Sequence, residues 1–372
     1  MYQSDDSGFM SRALELAERG LYTTDPNPRV GCVLVVDGNI VGEGWHARAG
    51  DAHAEVNAID AAGGQATGAT AYVSLEPCHH HCRTGPCTEA LVKAGVQRVV
   101  AAMADPDPRT AGQGLEALRQ AGMAVECGLL EDQARALNIG FATRHTRGRP
   151  YVRIKMAASL DGRTAMASGE SKWITGPAAR RDVQRLRARS SAIVTGSGTL
   201  LADDPALTVR AAELGEDVAF LQPLRVVLDR RLRTPADASL LTQPGATLIA
   251  TRSHQQDARH SLMDHGAEIL SLDDDGDGEL AMLMAALAAR GINEVLVEAG
   301  ATLSGALLDA QLVDEIVLYL APMLLGDTAR GLFHLPHIQS LTQALPLDIT
   351  DITPLGNDWR ITAKINRGQR PI

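Results

Sequence analysis

A chain of 372 residues is long enough for two ordinary domains, each with its own core. With 45% apolar and 22% charged residues and a mean hydropathy of −0.06, its composition is that of a globular protein in water. Aromatic residues at 3% and a net charge of −10 weigh against the stacking platforms and broad cationic face that nucleic-acid binding requires. Five cysteines, three of them within ten residues, indicate metal chemistry in a reducing compartment rather than a disulfide framework. No signal peptide and no apolar run of membrane length are read, so the expectation is a cytoplasmic protein without a membrane partner.

In chain order, Phe9, Ala13, Leu16 and Ala17 recur at helical spacing and predict an amphipathic helix over 7–18. The rigid turn Asp25-Pro26-Asn27-Pro28 leads into a β-branched run, Gly31 to Val36, that reads as a buried strand. Asp37-Gly38 marks a hairpin to a second strand from Ile40 to Trp45. A helix over 53–62 stops at Gly63-Gly64 and carries His53 in its first turn. A strand over 69–75 then delivers Glu76-Pro77-Cys78. Pro86, as first helical residue, starts a helix to Ala94 with Cys87 at its N-terminus, where the backbone dipole lowers a thiol pKa. Strands over 97–103 and 124–129 flank a helix over 114–121, which suggests a parallel crossover.

The chemistry concentrates between Asp51 and Cys87. His53, Cys78 and Cys87 offer the nitrogen and sulfur donors of a Zn²⁺ site with an open fourth position, and Glu55 places a carboxylate beside it. Zinc deaminases of nitrogenous bases share a His-x-Glu followed by Pro-Cys and a second Cys. Their second Cys comes two residues on; here eight residues separate Cys78 from Cys87. Zinc brings the pKa of water from 15.7 to about 7. A carboxylate that carries a proton to the departing amine is worth about 10²–10⁴-fold. The same residues could instead close a structural site, with Cys82 or one of His79, His80 and His81 as fourth ligand. Structural sites favour paired close spacings, however, and that reading leaves Glu55 without a role. Cys32 and Cys127 fall on core strands and read as packed thiols.

Arg147-Gly148-Arg149-Pro150 interrupts the pattern, so domains are expected over 1–147 and 148–372. A strand over 151–155 opens the second. Strands over 191–195, 224–228, 246–250, 294–298 and 315–320 then alternate with helices over 177–189, 256–264, 279–289 and 302–311, a layered α/β pattern. Gly196-Ser197-Gly198-Thr199 comes nearest to a dinucleotide glycine motif and lacks its third glycine. Ala299-Gly300-Ala301-Thr302 joins a strand to a helix and leaves backbone N–H groups for an anion. On the arginine-rich helix, Arg187 lies four residues after Val183 and borders the apolar stripe, so it is the arginine expected to meet an anionic partner.

Two sets of motifs carry a resemblance. Pro26-Asn27-Pro28-x-Val30-Gly31-Cys32-Val33, Gly42-x-Gly44-x-His46, His53-Ala54-Glu55 and Pro77-Cys78-x8-Cys87 make the first half similar to the pyrimidine deaminases of riboflavin biosynthesis. Residues 155–162, 169–176, 196–199 and 203–208 make the second half resemble the reductase of the same pathway. The resemblance implies a cytidine-deaminase-like three-layer domain followed by a dihydrofolate-reductase-like α/β domain. It implies Zn²⁺ on His53, Cys78 and Cys87, Glu55 as proton shuttle, Asn27 and His46 against the base, and His80 and Arg83 toward the ribose phosphate. It further implies NADPH on Ala157, Trp173, Thr199, Asp203 and the loop Gly300, Ala301, Thr302, Leu303, Ser304, Gly305, Ala306. Lys155, Ser171, Arg187, Leu207, Arg210 and Glu298 would hold the phosphoribosylamino-uracil. Four positions depart from the pattern: Cys82 for Gly, Asp107 for Asn, Arg230 for a small polar residue and Ala299 for Gly.

The resulting expectation is a bifunctional enzyme that acts on a phosphorylated pyrimidine. It would remove the 2-amino group of 2,5-diamino-6-(5-phosphoribosylamino)pyrimidin-4(3H)-one and then reduce the ribosyl side chain with NADPH, as a homo-oligomer. The rivals are a zinc deaminase of another base whose second domain only binds nucleotide, and a zinc-stapled scaffold without catalysis.

Overall fold

The computed structural model describes residues 5–80, 85–215, 218–272 and 278–366. The chain separates into two units, Met1–Arg149 and Pro150–Ile372. The expected boundary after residue 147 falls at the end of a helix whose C-cap, Gly148, takes a left-handed φ of 65°.

The first unit contains α1 (Asp6–Glu18), β1 (Gly31–Val36), β2 (Asn39–Trp45), α2 (Ala54–Ala62), β3 (Thr70–Val73), α3 (Cys87–Lys93), β4 (Arg98–Ala101), α4 (Gln113–Gln120), β5 (Ala124–Cys127), α5 (Glu131–Leu137) and α6 (Ile139–Arg147). Its five strands run in the order β2-β1-β3-β4-β5; β1 is antiparallel to both neighbours, whereas β3, β4 and β5 are parallel. Alternation along β1 divides the core in two. Cys32 and Leu34 pack with Ala54, Ala58, Leu91 and Leu118 of α2, α3 and α4. Val33 and Val35 pack with Met10, Leu16 and Ala134 of α1 and α5 on the opposite face. The result is three layers. Alanines at every fourth position of α2 meet glycines of β2: a Cβ on Gly42 would lie 2.2 Å from the Ala58 carbonyl oxygen, and one on Gly44 2.4 Å from that of Ala54. Only glycine permits this approach, which fixes α2 and the residues at its start against the sheet.

The second unit contains β6 (Tyr151–Ser159), β7 (Arg163–Ala165), α7 (Pro177–Arg189), β8 (Ala192–Gly196), α8 (Ser197–Asp203), α9 (Ala211–Leu214), β9 (Leu224–Leu228), α10 (Ser239–Thr242), β10 (Thr247–Thr251), α11 (Gln256–Asp264), β11 (Ala267–Ser271), α12 (Glu279–Ala289), β12 (Glu294–Val297), α13 (Ala301–Asp309), β13 (Glu315–Ala321), β14 (Arg330–Gly331), β15 (Leu347–Leu355) and β16 (Asp358–Ile365). Nine strands form one sheet in the order β11-β10-β9-β8-β12-β6-β13-β16-β15. All neighbours through β13 are parallel, and the last two strands are antiparallel. Inner strands such as β10 and β12 are buried throughout, as parallel strands covered on both faces must be.

Several elements differ from the expectation. β6 continues four residues past 155, because Met156 to Ser159 pair along β13. Pro86 is the N-cap of α3 rather than its first residue, so Cys87 opens the helix. The sequence did not suggest α5, α6, α8 or the β15–β16 hairpin; β15 is an exposed edge strand without buried alternation. No helix among the described residues is long and apolar enough to cross a membrane.

Candidate functional site

His53 is the N-cap of α2, Cys78 follows the strand end of β3, and Cys87 is the first residue of α3. His53 Nδ1 lies 3.1 Å from Cys87 Sγ and 3.5 Å from Cys78 Sγ. Their three donor atoms all fall within 4.8 Å of one another. A tetrahedron with metal–ligand bonds of 2.0–2.3 Å has edges of roughly 3.5 Å, so this imidazole–dithiol set fits Zn²⁺ without rearrangement. Cys78 is already held well below the ordinary thiol range, first by the hydrogen bond from Cys87 and then by His53, while Cys87 is pushed up. Among the described residues no fourth protein donor joins the cluster. His79 Nδ1 meets Thr88 Oγ1 at 3.2 Å and His80 Nδ1 meets Thr110 Oγ1 at 3.2 Å. His81, Cys82 and Arg83 lie outside the described residues.

Glu55, on the first turn of α2, is only 3% exposed. Burial, and then the charge of Cys78, raise its carboxyl to about 6, which suits a group that must both accept and release a proton near neutrality. Asn27 and His46 stand on the same side. The His46 ring meets that of His53 edge-on, with centroids 5.4 Å apart. Asn27 Nδ2 donates to His46 Nε2 at 3.0 Å, and His46 Nδ1–H donates to the Ala52 carbonyl at 3.1 Å. That pair of bonds selects a neutral tautomer, in agreement with the lowering of its pKa by burial.

One residue the sequence reading passed over organises the surroundings. Glu76, 3% exposed, accepts four backbone N–H groups: Asp105 (3.0 Å) and Gly112 (2.9 Å) on Oε2, Gly114 (2.9 Å) and Leu115 (3.2 Å) on Oε1. It thereby ties the segment that carries Thr110, and so His80, to the residues just before Cys78. In the sequence, nothing but its place beside Pro77-Cys78 set Glu76 apart. On the same segment Asp107 binds the Arg109 backbone N–H and guanidinium. Burial opposes its ionisation, but Arg109 holds it at about 2.

The second unit carries an open cavity of about 1440 Å³ toward the carboxyl ends of β6, β12, β8 and β9. Ligands of open parallel sheets bind at this end. At its centre Glu298 receives Arg187 in a two-pronged pair (Nε 2.6 Å, Nη2 3.0 Å), with Lys155 Nζ at 3.9 Å. Burial opposes ionisation of Glu298, yet Arg187 and Lys155 hold it at about 2. Arg187 therefore has the anionic partner anticipated for it, from within the chain. Two cations against one carboxylate leave the cluster one positive charge. Ser171, Leu207 and Arg210 line the same cavity, as do Ala157, Trp173, Thr199 and Asp203. Arg180 stacks on the Trp173 ring at 4.7 Å, and Thr199 Oγ1 accepts the Gly300 N–H at 3.2 Å.

Gly300, Ala301, Thr302, Leu303 and Ala306 also line this cavity, but Ser304 and Gly305 do not. Ser304 is fully buried beneath Met156, and a Cβ on Gly305 would sit 2.1 Å from the His334 carbonyl oxygen. Both lie on the core side of α13, because a helix cannot turn seven consecutive residues to one face. A Cβ on Gly300 would meet only Thr199 Oγ1, at 3.9 Å, and one on Gly198 nothing within 4 Å. This open backbone beside the start of α13 fits the pyrophosphate of a dinucleotide. Ala299 packs partly on the core, and Arg230 pairs with Glu279 at 2.6 Å.

Comparison with known proteins finds a relative in each half and in the whole. Residues 3–103 match the cytidine and deoxycytidylate deaminase zinc-binding region, and residues 150–361 match the RibD C-terminal domain. The riboflavin biosynthesis protein RibD of Escherichia coli K12 is 52% identical over 95% of this chain and 97% of its own, and that of Haemophilus influenzae is 48% identical over 97% and 98%. A solved structure of Acinetobacter baumannii RibD superposes with a TM-score of 0.91 at 48% identity, covering 98% of this chain and 99% of that one. A diaminohydroxyphosphoribosylaminopyrimidine deaminase/5-amino-6-(5-phosphoribosylamino)uracil reductase from Thermotoga maritima superposes at 0.84 and 32% identity, covering 97% and 99%.

Proposed function

The chain belongs to the RibD family of riboflavin-biosynthesis enzymes, and from that premise we propose which residues perform its two reactions. It is a bifunctional enzyme with Zn²⁺ and NADPH as cofactors. It deaminates 2,5-diamino-6-(5-phosphoribosylamino)pyrimidin-4(3H)-one hydrolytically, then reduces the ribosyl side chain of the product to ribityl. The observation that carries the deaminase assignment is an imidazole–dithiol triad with a buried carboxylate two residues from its histidine.

His53, Cys78 and Cys87 hold the zinc ion. Zinc supplies the Lewis acidity that makes water a nucleophile near neutral pH. Glu55 is placed to accept a proton from the attacking water and to hand it to the departing 2-amino nitrogen, so that ammonia leaves neutral. A carboxyl raised to about 6 can both accept and release that proton near neutral pH. Neutral His46, fixed by the Ala52 carbonyl, orients Asn27 and leaves the Asn27 amide oxygen for the pyrimidine ring. His80 and Arg83 take the ribose phosphate side.

In the second unit, NADPH supplies the hydride. Lys155, Ser171, Arg187, Leu207 and Arg210 bind the phosphorylated uracil, and the residual positive charge of the Lys155–Arg187–Glu298 cluster favours an anionic ligand. Glu298 acts through its two cations by fixing their geometry. Ala157, Trp173, Thr199, Asp203, Gly300, Ala301, Thr302, Leu303 and Ala306 face the cofactor. Ser304 and Gly305 support that loop from behind.

The enzyme is further read as a homo-oligomer: edge strand β15 and its partner β16 expose Leu347, Ile349, Ile352 and Trp359, an apolar stripe suited to a second copy. A cytoplasmic location is supported by metal ligands that must remain reduced thiols. Relatives that match across both halves at about half identity disfavour a deaminase of another base with an inert second domain.

The test is Glu55→Gln. Zinc content should be unchanged while ammonia release falls about 10²–10⁴-fold. Parallel loss of zinc would assign Glu55 to the metal cage instead.

A further inference from the structure

Helices α5 and α6 follow the last strand of the first unit's sheet and carry none of the residues assigned to either reaction. One side chain at their junction nevertheless reaches the support of the base pocket. Asn138 is at once the C-cap of α5 and the N-cap of α6, and it is 1% exposed. Its amide makes no cap bond to α6. Instead Oδ1 accepts the Arg29 backbone N–H at 2.8 Å, and Nδ2 donates to the Arg29 carbonyl at 2.9 Å. Arg29 is itself buried, and its Nη1 donates to the Leu137 carbonyl at 2.8 Å. These three bonds join positions 108 and 109 residues apart in the chain.

The tie has a clear physical reason. Arg29 precedes β1 and so stands outside the strand ladder. A backbone N–H and C=O buried there need partners from elsewhere. The asparagine side chain offers one acceptor and two donors on a planar amide, and so can stand in for the peptide group of a neighbouring strand.

From this fixed point the chain runs back through Pro28 to Asn27. The ring of Pro28 locks its φ, and a residue before proline is confined to extended conformations. Little freedom therefore separates the Arg29 backbone from Asn27. On the other side of Asn27, Arg144 Nη2 of α6 lies 3.5 Å from the Pro26 carbonyl oxygen. In the forward direction, the Val30 carbonyl accepts the His46 backbone N–H at 2.9 Å, and Asn27 Nδ2 reaches the His46 ring at 3.0 Å. The run 27–30 thus carries Asn27 and holds His46, and its middle is held by Asn138. We infer that Asn138 is a positioning residue of the deaminase: by pairing both backbone polar groups of Arg29, it sets the place from which Asn27, with His46, meets the pyrimidine ring. The inference rests on the reading that Asn27 contacts the base. The zinc donors and Glu55 stand elsewhere, on α2, after β3 and on α3.

A double-mutant cycle on the full-length zinc enzyme, followed by ammonia release from the diaminopyrimidine substrate, tests it. Asn138→Ala should keep its zinc and lose at least about tenfold in kcat/KM, through KM, with kcat within about threefold of wild type. Asn27→Ala should lose more. The double variant should match Asn27→Ala within about twofold, because the anchor then has nothing left to position. A residue that merely stabilises the unit would add its full effect to that of Asn27→Ala, and that result overturns the inference. An unchanged KM in Asn138→Ala overturns it as well. If the alanine variant loses zinc, Asn138→Asp, which keeps the side-chain volume and the acceptor for the Arg29 N–H, takes its place in the cycle. Loss of zinc from both would make Asn138 a residue of the core and overturn the inference. Should Asn27→Ala leave both KM and kcat unchanged, the reading of Asn27 as a base contact fails, and this inference with it.

Discussion

The two units solve the problem of assembling a site in opposite ways. In the first, three metal donors and the carboxylate lie within 35 residues, each at the end of an element that short-range pattern predicts. In the second, Lys155, Arg187, Arg210, Thr199 and Glu298 reach one cavity from well-separated elements, and no single local motif groups them. The first is therefore vulnerable at single atoms of the metal cage, the second at its charge balance. A metal-centred site is readable from donor spacing; a cavity at strand ends is readable only once the strand order is known.

Removal of the metal should have the largest and most one-sided effect. Chelator-stripped enzyme should lose ammonia release altogether, while 2′-phospho-ADP-ribose binding to the second unit stays within twofold. Weakened cofactor binding in the same titration would show that the two units do not work independently.

Glu298→Gln tests the other side of the contrast. It leaves Arg187 and Lys155 partly buried without their counter-charge, a loss on the order of 3 kcal/mol on urea unfolding. Reductase activity should collapse and ammonia release should persist. A stability change below about 0.5 kcal/mol would mean that solvent already screens this cluster.

Glu76→Gln probes the support of the metal site. An amide replaces two acceptor positions by donors facing backbone N–H groups, at a cost of about 2 kcal/mol. Zinc should be retained while the deaminase KM rises severalfold, because the segment carrying Thr110 loosens around His80. An unchanged KM would make Glu76 a stabilising residue alone.

The smallest effect concerns Asp105, whose carboxyl is raised to about 7, first by burial and then by Asp107 and Glu76. Its folded-state pKa lies above that of the unfolded chain, so the folded state holds the proton more tightly. Wild-type stability should therefore decline as pH rises from about 4 to 7. Asp105→Asn can keep the bond from the Asp107 N–H and should be more stable than wild type at pH 8 by on the order of 1–3 kcal/mol. The gain should vanish near pH 4, and an equal gain at both pH values would exclude titration as its cause.

Sequence by itself determined most of the element order: the glycine–alanine contact that seats α2 was implicit in Gly42, Gly44, Ala54 and Ala58, and the zinc donors in their residue types and spacing. Hydrophobic period and donor chemistry are local properties, and a string of residues displays them. Tertiary structure alone decided that Glu76 gathers four backbone amides, that Glu298 already neutralises Arg187, and that Ser304 and Gly305 turn away from the cavity. It also decided that a turn after β9 belongs to the same cavity as a strand more than seventy residues earlier. These facts depend on which strands become neighbours and which way a side chain faces once packed, and burial and charge pairing between distant residues settle both.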